Sequence, residues 1–221
     1  MSDQNQQAER LPVACLLSIA GGFLDIYSYL VRGHVFANAV TGNMVLLGLN
    51  LFSGEWLNCG RYLFAIFAYG AGILIANGVH EKMPLPRHLS WIQFVLLLEI
   101  AILLPVAFIP TGDWDLLVNA MISFVCAMQV QTFRRVHGLP FASTMCTGNL
   151  RSGTDALFHG LIQHNPDDIR NASHYFIVIA FFIVGAVVGA FILKKVSPCG
   201  VLVIPAILFV VLLIISSKKR A

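Results

Sequence analysis

The chain has 221 residues, of which 57% are hydrophobic and only 11% charged, with a formal net charge of +3. A soluble domain carries about 25% charged residues, so a chain of mean hydropathy +0.79 lacks the polar surface to cover a water-soluble globule, and a polytopic membrane protein is expected. Its basic residues are scattered between apolar runs as membrane-flanking charge is, which argues against a nucleic-acid partner and makes the lipid bilayer the first partner.

Residues 1–10 read as a polar, mobile N-terminal tail. The apolar run that begins at Leu11 continues for about 20 residues, too long for the core of a cleavable signal peptide and suited to a first transmembrane helix, Leu11 to Leu30. Gly21, Gly22 and Asp25 interrupt it. A link over Val31 to Ala39 leads to a short helix over Thr41 to Phe52, with Thr41 as its N-cap. A polar loop, Ser53 to Arg61, precedes the second span, Tyr62 to Val79. A basic loop, His80 to His88, precedes the third, Trp91 to Pro110. Leu116 to Phe133 is the fourth span. A short, polar helix over Thr147 to Ile162 follows, then a soluble loop, Gln163 to Ser173, and the last two spans, Tyr175 to Leu193 and Val201 to Ser216. A basic tail, residues 218–221, closes the chain.

The chain repeats itself. Phe36-Ala37-Asn38-Ala39-Val40-Thr41-Gly42-Asn43 returns, altered, as Phe141-Ala142-Ser143-Thr144-Met145-Cys146-Thr147-Gly148-Asn149. Thr41 and Thr147 are offset by 106, whereas Gly33 and Gly138, like Phe36 and Phe141, are offset by 105, so one residue is inserted between them. Phe67-x-x-Gly70-Ala71 matches Phe182-x-x-Gly185-Ala186 at an offset of 115. The reading is one membrane domain of two halves, residues 11–110 and 111–217, each a span, a link, a short helix and two further spans. Three spans per half is odd, so the halves are inverted and the short helices re-enter the membrane. The basic residues favour this arrangement over eight full crossings. With the termini in the cytoplasm, nine basic residues (Arg10, Lys82, Arg87, Arg134, Arg135, Arg170, Lys218, Lys219, Arg220) lie inside and four (Arg32, Arg61, Lys194, Lys195) outside.

Two half-helices that start at Thr41-Gly42-Asn43 and Thr147-Gly148-Asn149 would present free amides and positive dipole ends to an anion or carboxylate, as broken helices in secondary transporters do. The same small and polar residues also suit plain helix packing. Asp25, in an apolar run, is a candidate cation or proton site; Gln129 and Gln131 stand at about the same place in the second half. Arg151 and Asp155, four apart, share one face of the polar short helix. Asn119 reads as interhelical glue, and Glu99 as a carboxylate that pairs with a neighbour. The five cysteines are odd in number and include no CxxC, and the histidines form no ligand pattern. Neither a metal site nor a cofactor is expected, and no nucleophile–base set marks an enzyme.

Gly21-Gly22-Phe23-Leu24-Asp25, Gly33-x-x-Phe36, Thr41-Gly42-Asn43 and the second Thr147-Gly148-Asn149 together resemble the YoaK-like family of small bacterial inner-membrane proteins over roughly residues 11–215. The resemblance implies a multi-pass protein of the bacterial inner membrane and leaves its biochemical role open. The second half has Ala127-Met128-Gln129 where the first has Gly-Gly-x-x-Asp. The fold expected is all-α and integral to the membrane, with about six spans. The function expected is a small-solute secondary transporter or channel, with Asp25, Thr41, Gly42, Asn43, Thr147, Gly148, Asn149 and Arg151 around a small-molecule or ion ligand and Asp25 as the proton-coupling group. The alternative is a non-transporting sensor or assembly module in which these residues are glue. A homo-oligomer is compatible with either.

Overall fold

A computed structural model describes residues 3–83, 85, 86 and 89–217. The chain is an all-helical integral membrane protein: α1 (Asp3–Ala8), α2 (Leu11–Val31), α3 (Val40–Ser53), α4 (Trp56–Lys82), α5 (Trp91–Val106), α6 (Asp115–Thr132), α7 (Cys146–Ile162), α8 (Pro166–Val196) and α9 (Val203–Ser216). A two-stranded hairpin, β1 (Arg135–Val136) and β2 (Leu139–Pro140), precedes α7, and a 3-10 turn (Cys199–Leu202) leads into α9. Five of these segments are long and apolar enough to cross a membrane: α2, α4, α6, α8 and the turn with α9. At 16 residues, α5 is shorter, about 24 Å of helix.

Local chemistry sets the helix limits. Ser90 and Gln93 form a reciprocal capping box at the start of α5. Asn165 caps α8, its side chain accepting from the Asp167 N–H (3.1 Å), with Pro166 in the first turn. Gly54, in the left-handed region at φ 72°, ends α3.

Several boundaries differ from those read in the sequence. Within residues 1–10, α1 is helical and buries Ala8 in the core. The loop Ser53 to Arg61 is largely absorbed into α4, and the loop Gln163 to Ser173 into α8. Residues 84, 87, 88 and 218–221, with Arg87 and the basic tail, lie outside the described residues.

Contacts at helix ends fix the helix directions. Arg32, just past α2, donates to the carbonyls of Val106, Ile109 and Pro110 at the end of α5 and to Asp115 at the start of α6. His137, just past α6, donates its backbone N–H to the carbonyl of Glu9, just before α2 (2.8 Å). Hence α6 runs antiparallel to α2. Likewise Gln93 at the start of α5 donates to Ser216 at the end of α9 (2.8 Å), and Cys199 Sγ, before α9, reaches the Ala107 carbonyl beyond α5 (3.7 Å). Hence α9 runs antiparallel to α5.

The closest helix crossings are made at glycines, which let backbones approach where lipid removes the hydrophobic drive for association. A Cβ added to Gly22 would overlap the Phe182 carbonyl, and one on Gly185 would overlap the backbone of Ile19. A Cβ added to Gly72 would likewise overlap the carbonyl of Phe124 on α6. Gly72 and Gly185 thus each let two helices cross closely, against the backbone of Phe124 and of Ile19. The core lies between α2, α5, α6 and α9, with Leu17, Phe23, Leu96, Leu103, Ile122, Ile204 and Leu208 all fully buried. In α4 and α8, by contrast, Phe67, Leu74, Ile183 and Phe191 are exposed, as a lipid-facing surface requires.

Candidate functional site

α2 and α6 are each followed by a link that turns back. Gly33 (φ 81°) and His34 (φ 59°) turn the first link, and His137 (φ 48°) and Gly138 (φ 80°) the second; such positive φ values suit glycine and strain histidine. Because the two links start at opposite ends of the bundle, they approach each other. They touch where Asn38 Nδ2 donates to the Thr144 carbonyl (3.4 Å), with both residues buried. Asn38 and Thr144 are offset by 106, as Thr41 and Thr147 are.

The first link is tied down by α2 and α6. Asp25 Oδ1 accepts from the Asn38 N–H (3.1 Å), Ser28 Oγ accepts from the Ala37 N–H (3.1 Å), and Ser123 donates to the Ala37 carbonyl. On the second link, Gln129 Nε2 donates to Ser143 Oγ (2.7 Å) and to the Leu17 carbonyl (3.3 Å). Gln129 therefore holds link two much as Asp25 holds link one, with a neutral amide in place of a carboxylate. Gln131 is used elsewhere, donating to Asn77 on α4.

The asparagines of the two Thr-Gly-Asn triplets act alike. Asn43 Nδ2 donates to the Phe36 carbonyl and Asn149 Nδ2 to the Ala142 carbonyl, each 2.7 Å and seven residues back; Asn149 also accepts from the Ala142 N–H (3.2 Å). Each clamp folds a link onto the first turn of its helix. The common spacing of seven places the inserted residue before Ala142, beside the hairpin, rather than after Phe141. Three buried polar atoms around the junction have no hydrogen-bond partner among the described residues: Asn38 Oδ1, Asn43 Oδ1 and Thr144 Oγ1. Unsatisfied groups of this kind each cost about 1–3 kcal/mol unless something meets them.

The remaining sequence candidates sit at the edge of this junction. Thr41 and Thr147 are not N-caps: the helices start one residue earlier, after Ala39 and Met145, without side-chain caps. Both threonines, Gly148 and Arg151 are exposed at the protomer surface, and a Cβ on Gly42 or Gly148 would meet nothing within 4 Å. Asp155 lies 3.8 Å from His159, one turn further on, rather than pairing with Arg151. Asn119 is glue as expected, donating to the Arg32 carbonyl (2.7 Å). Arg32, counted above as an outside loop charge, is instead fully buried. Glu99, expected to pair, has both carboxyl oxygens buried without a hydrogen-bond partner among the described residues. Two cavities open toward the Glu9 end of the bundle. One of about 660 Å³ is lined by Glu9, His80, Trp91, Gln131, Arg134 and Arg135 among others, and one of about 340 Å³ by Asp155, His159, Asp168 and Tyr175 among others. Neither lining includes Asp25 or a Thr-Gly-Asn residue.

The family model for the protein of unknown function DUF1275 matches residues 13–215, from the first turn of α2 to the last of α9. The chain belongs to the DUF1275 family. It is similar to the UPF0700 transmembrane protein YoaK of Bacillus subtilis (strain 168), with 26% identity over 192 residues, covering 83% of this chain and 84% of that relative. No solved structure matches it significantly. The match to DUF1275 takes in both links and all the residues that meet at their junction, so the junction belongs to the part shared with the family.

Sequence reasoning missed Asn38, Ser123 and Ser143. Each is a lone polar residue at an apolar or link position, a weak signal; the hint available was that Asn38 and Thr144 stand at the same offset as the Thr-Gly-Asn copies.

Proposed function

We propose that the protein is a small-solute secondary transporter or channel of the bacterial inner membrane, with cytoplasmic termini and a polar path along the junction of the two links. The observation that carries it is the Asn38–Thr144 contact between links that enter from opposite ends of the bundle.

Inverted halves of three spans each account for the helix directions. Because α2 and α5 both end where Arg32 sits, the chain between them crosses an even number of times; α4 and α5 supply two crossings and α3 turns back. The helix pairs also exchange: α2 with α8 mirrors α6 with α4, α7 with α8 mirrors α3 with α4, and α2 with α9 mirrors α6 with α5. Non-helical backbone at membrane depth is tolerated where protein buries it or where it lines a watery path. The exposed first turns support the second role. Arg151 lies five residues into α7, about 7 Å along the axis from the junction, and a guanidinium at such depth faces water or protein rather than lipid. Thr41, Thr147 and Gly148 accompany it on the wall of the path, with Asn43 and Asn149 holding its shape, and the 660 Å³ cavity serves as the vestibule at the cytoplasmic end. Asp25 beside the junction is the proton-coupling group.

The test uses purified protein in proteoliposomes and a panel of small neutral and anionic solutes, followed by light scattering and by a trapped pH dye. Solute-dependent volume change above empty vesicles is expected, with proton movement lost in Asp25→Asn while exchange of the solute persists. Uphill uptake by Asp25→Asn would remove Asp25 from coupling. Silence across the panel would favour the sensor or assembly module. One observation already favours that alternative: the amides of Asn43 and Asn149 are committed to their own links.

A further inference from the structure

Glu99 lies near the middle of α5, fully buried, with Val95, Leu96 and Leu103 on the same helix also fully buried. Neither carboxyl oxygen has a hydrogen-bond partner among the described residues. Asp115, Asp155 and Asp167, by contrast, each have a basic side chain within 4 Å. Neighbouring helices bring little that titrates. Within Val203–Ser216 of α9 there is no ionisable side chain. From α6 comes the buried Cys126 thiol, close enough to feel the carboxyls of both Glu99 and Asp25; Asp115 of that helix is tied to Arg32 at its far end. The 3-10 turn brings Cys199, whose Sγ is spent on the Ala107 carbonyl. On α4, Tyr69 lies near Cys126, while His80 packs its ring on Trp91 at the other end of α5 (4.4 Å), next to Glu81 and Lys82.

A carboxylate with no counter-charge and no donor is among the costliest groups to bury; in a membrane helix it is kept neutral or given a cation. As mere packing, Glu99 would be improved by a leucine. We propose that Glu99 is a proton-binding site in the membrane core, occupied at neutral pH and in exchange with water, separate from the link junction and from Asp25. Glu99 and Asp25, the acids inside α5 and α2, both lie in the first half, whereas α9 over Val203–Ser216 is apolar but for Ser216 at its end.

The test is infrared difference spectroscopy of the full chain in lipid, wild type against Glu99→Gln and against Asp25→Asn. Expected is a protonated-carboxyl carbonyl band that is present in wild type and Asp25→Asn, absent in Glu99→Gln, and shifted in heavy water. A band that ignores heavy water would mark a static buried acid and overturn the site, as would spectra of wild type and Glu99→Gln that coincide in this region. If Glu99→Gln fails to fold, the pH dependence of the wild-type band in Asp25→Asn decides instead: a band lost on alkalinisation and regained on acidification supports the site, and its absence at every pH refutes it. None of these outcomes depends on solute flux, so the failure of Glu99 as a proton site and the failure of transport at the junction are read separately.

Discussion

Arg32 is the residue whose removal should cost the fold most. Its guanidinium is fully buried, and all of its N–H groups have acceptors: Nε with Tyr27 Oη (2.9 Å), Nη1 with the Pro110 carbonyl (2.9 Å) and Asp115 (3.2 Å), Nη2 with the carbonyls of Val106 (3.0 Å) and Ile109 (2.9 Å). The carbonyls are the orphan acceptors at the end of α5, where Pro105 and Pro110 stop the helix, so one side chain caps α5 and joins it to α2 and α6. Arg32→Met keeps the stem and deletes every donor. Removing one partner of a buried charged pair costs about 3–5 kcal/mol, which at roughly 2–4 °C per kcal/mol for a chain of this size lowers the melting temperature by about 6–20 °C. Arg32→Lys, with three donors on one nitrogen, cannot satisfy five acceptors and should fall in between. Asp115→Asn leaves four of the five acceptors in place and should cost least, on the order of 1–2 kcal/mol. The assay is tryptophan-fluorescence melting of purified protein in one detergent–lipid mixture. A melting point for Arg32→Met within a degree of wild type, or Asp115→Asn falling below Arg32→Met, would refute the latch.

Gly22→Ala and Gly185→Ala should each destabilise by about 1–3 kcal/mol or block folding, because the new methyl meets backbone that cannot move aside, whereas Gly148→Ala should be neutral or slightly stabilising; melting of the three side by side checks this. Asn38→Cys with Thr144→Cys, in a chain freed of its other cysteines, should cross-link under mild oxidation, and failure to do so while the protein remains folded would separate the links. Asn149→Ala should cost more than Asn43→Ala, since it loses two hydrogen bonds rather than one, by about 1 kcal/mol in the same melting assay. Single cysteines at Arg61 and Arg170 should react with a membrane-impermeant maleimide from opposite faces of the bilayer; labelling from one face would overturn the inverted halves.

What was legible in the sequence was local or repeated. Apolar run length announces a spanning helix, so all of the long helices were found. A motif that occurs twice stands out from its surroundings, so the Thr-Gly-Asn turns were found as helix starts, one residue late. The start of α8 was missed although its signal was present: Asn165-Pro166-Asp167-Asp168 is a cap, a first-turn proline and two acids at the positive end of the dipole, which in an apolar chain were read as a loop. Arg32 was illegible for a different reason. A charge at the end of an apolar run looks like any flanking charge, and the acceptors that pull it inside, apart from Tyr27, lie 74 to 83 residues away. Glu99 was seen, yet whether it has a partner is a property of packing among α4, α5, α6 and α9 that no spacing along α5 encodes.

The two links are held by similar hydrogen bonds but with different charge, and that difference bears on the proposed mechanism. Hydrogen bonds that merely hold a link are made in both halves by neutral groups: asparagine on a backbone carbonyl in each clamp, Gln129 on Ser143, Ser123 on Ala37. Gln129 anchors the second link through a neutral amide, whereas Asp25 takes the Asn38 N–H on a carboxylate oxygen. An ionisable group at membrane depth costs about 2.5–3.5 kcal/mol on insertion scales, a cost that the neutral Gln129 amide on the second link does not carry. Glu99 repeats the pattern, facing an α9 with no counterpart. The two acids, Asp25 and Glu99, are therefore the positions at which the proposed proton chemistry and plain packing make different predictions.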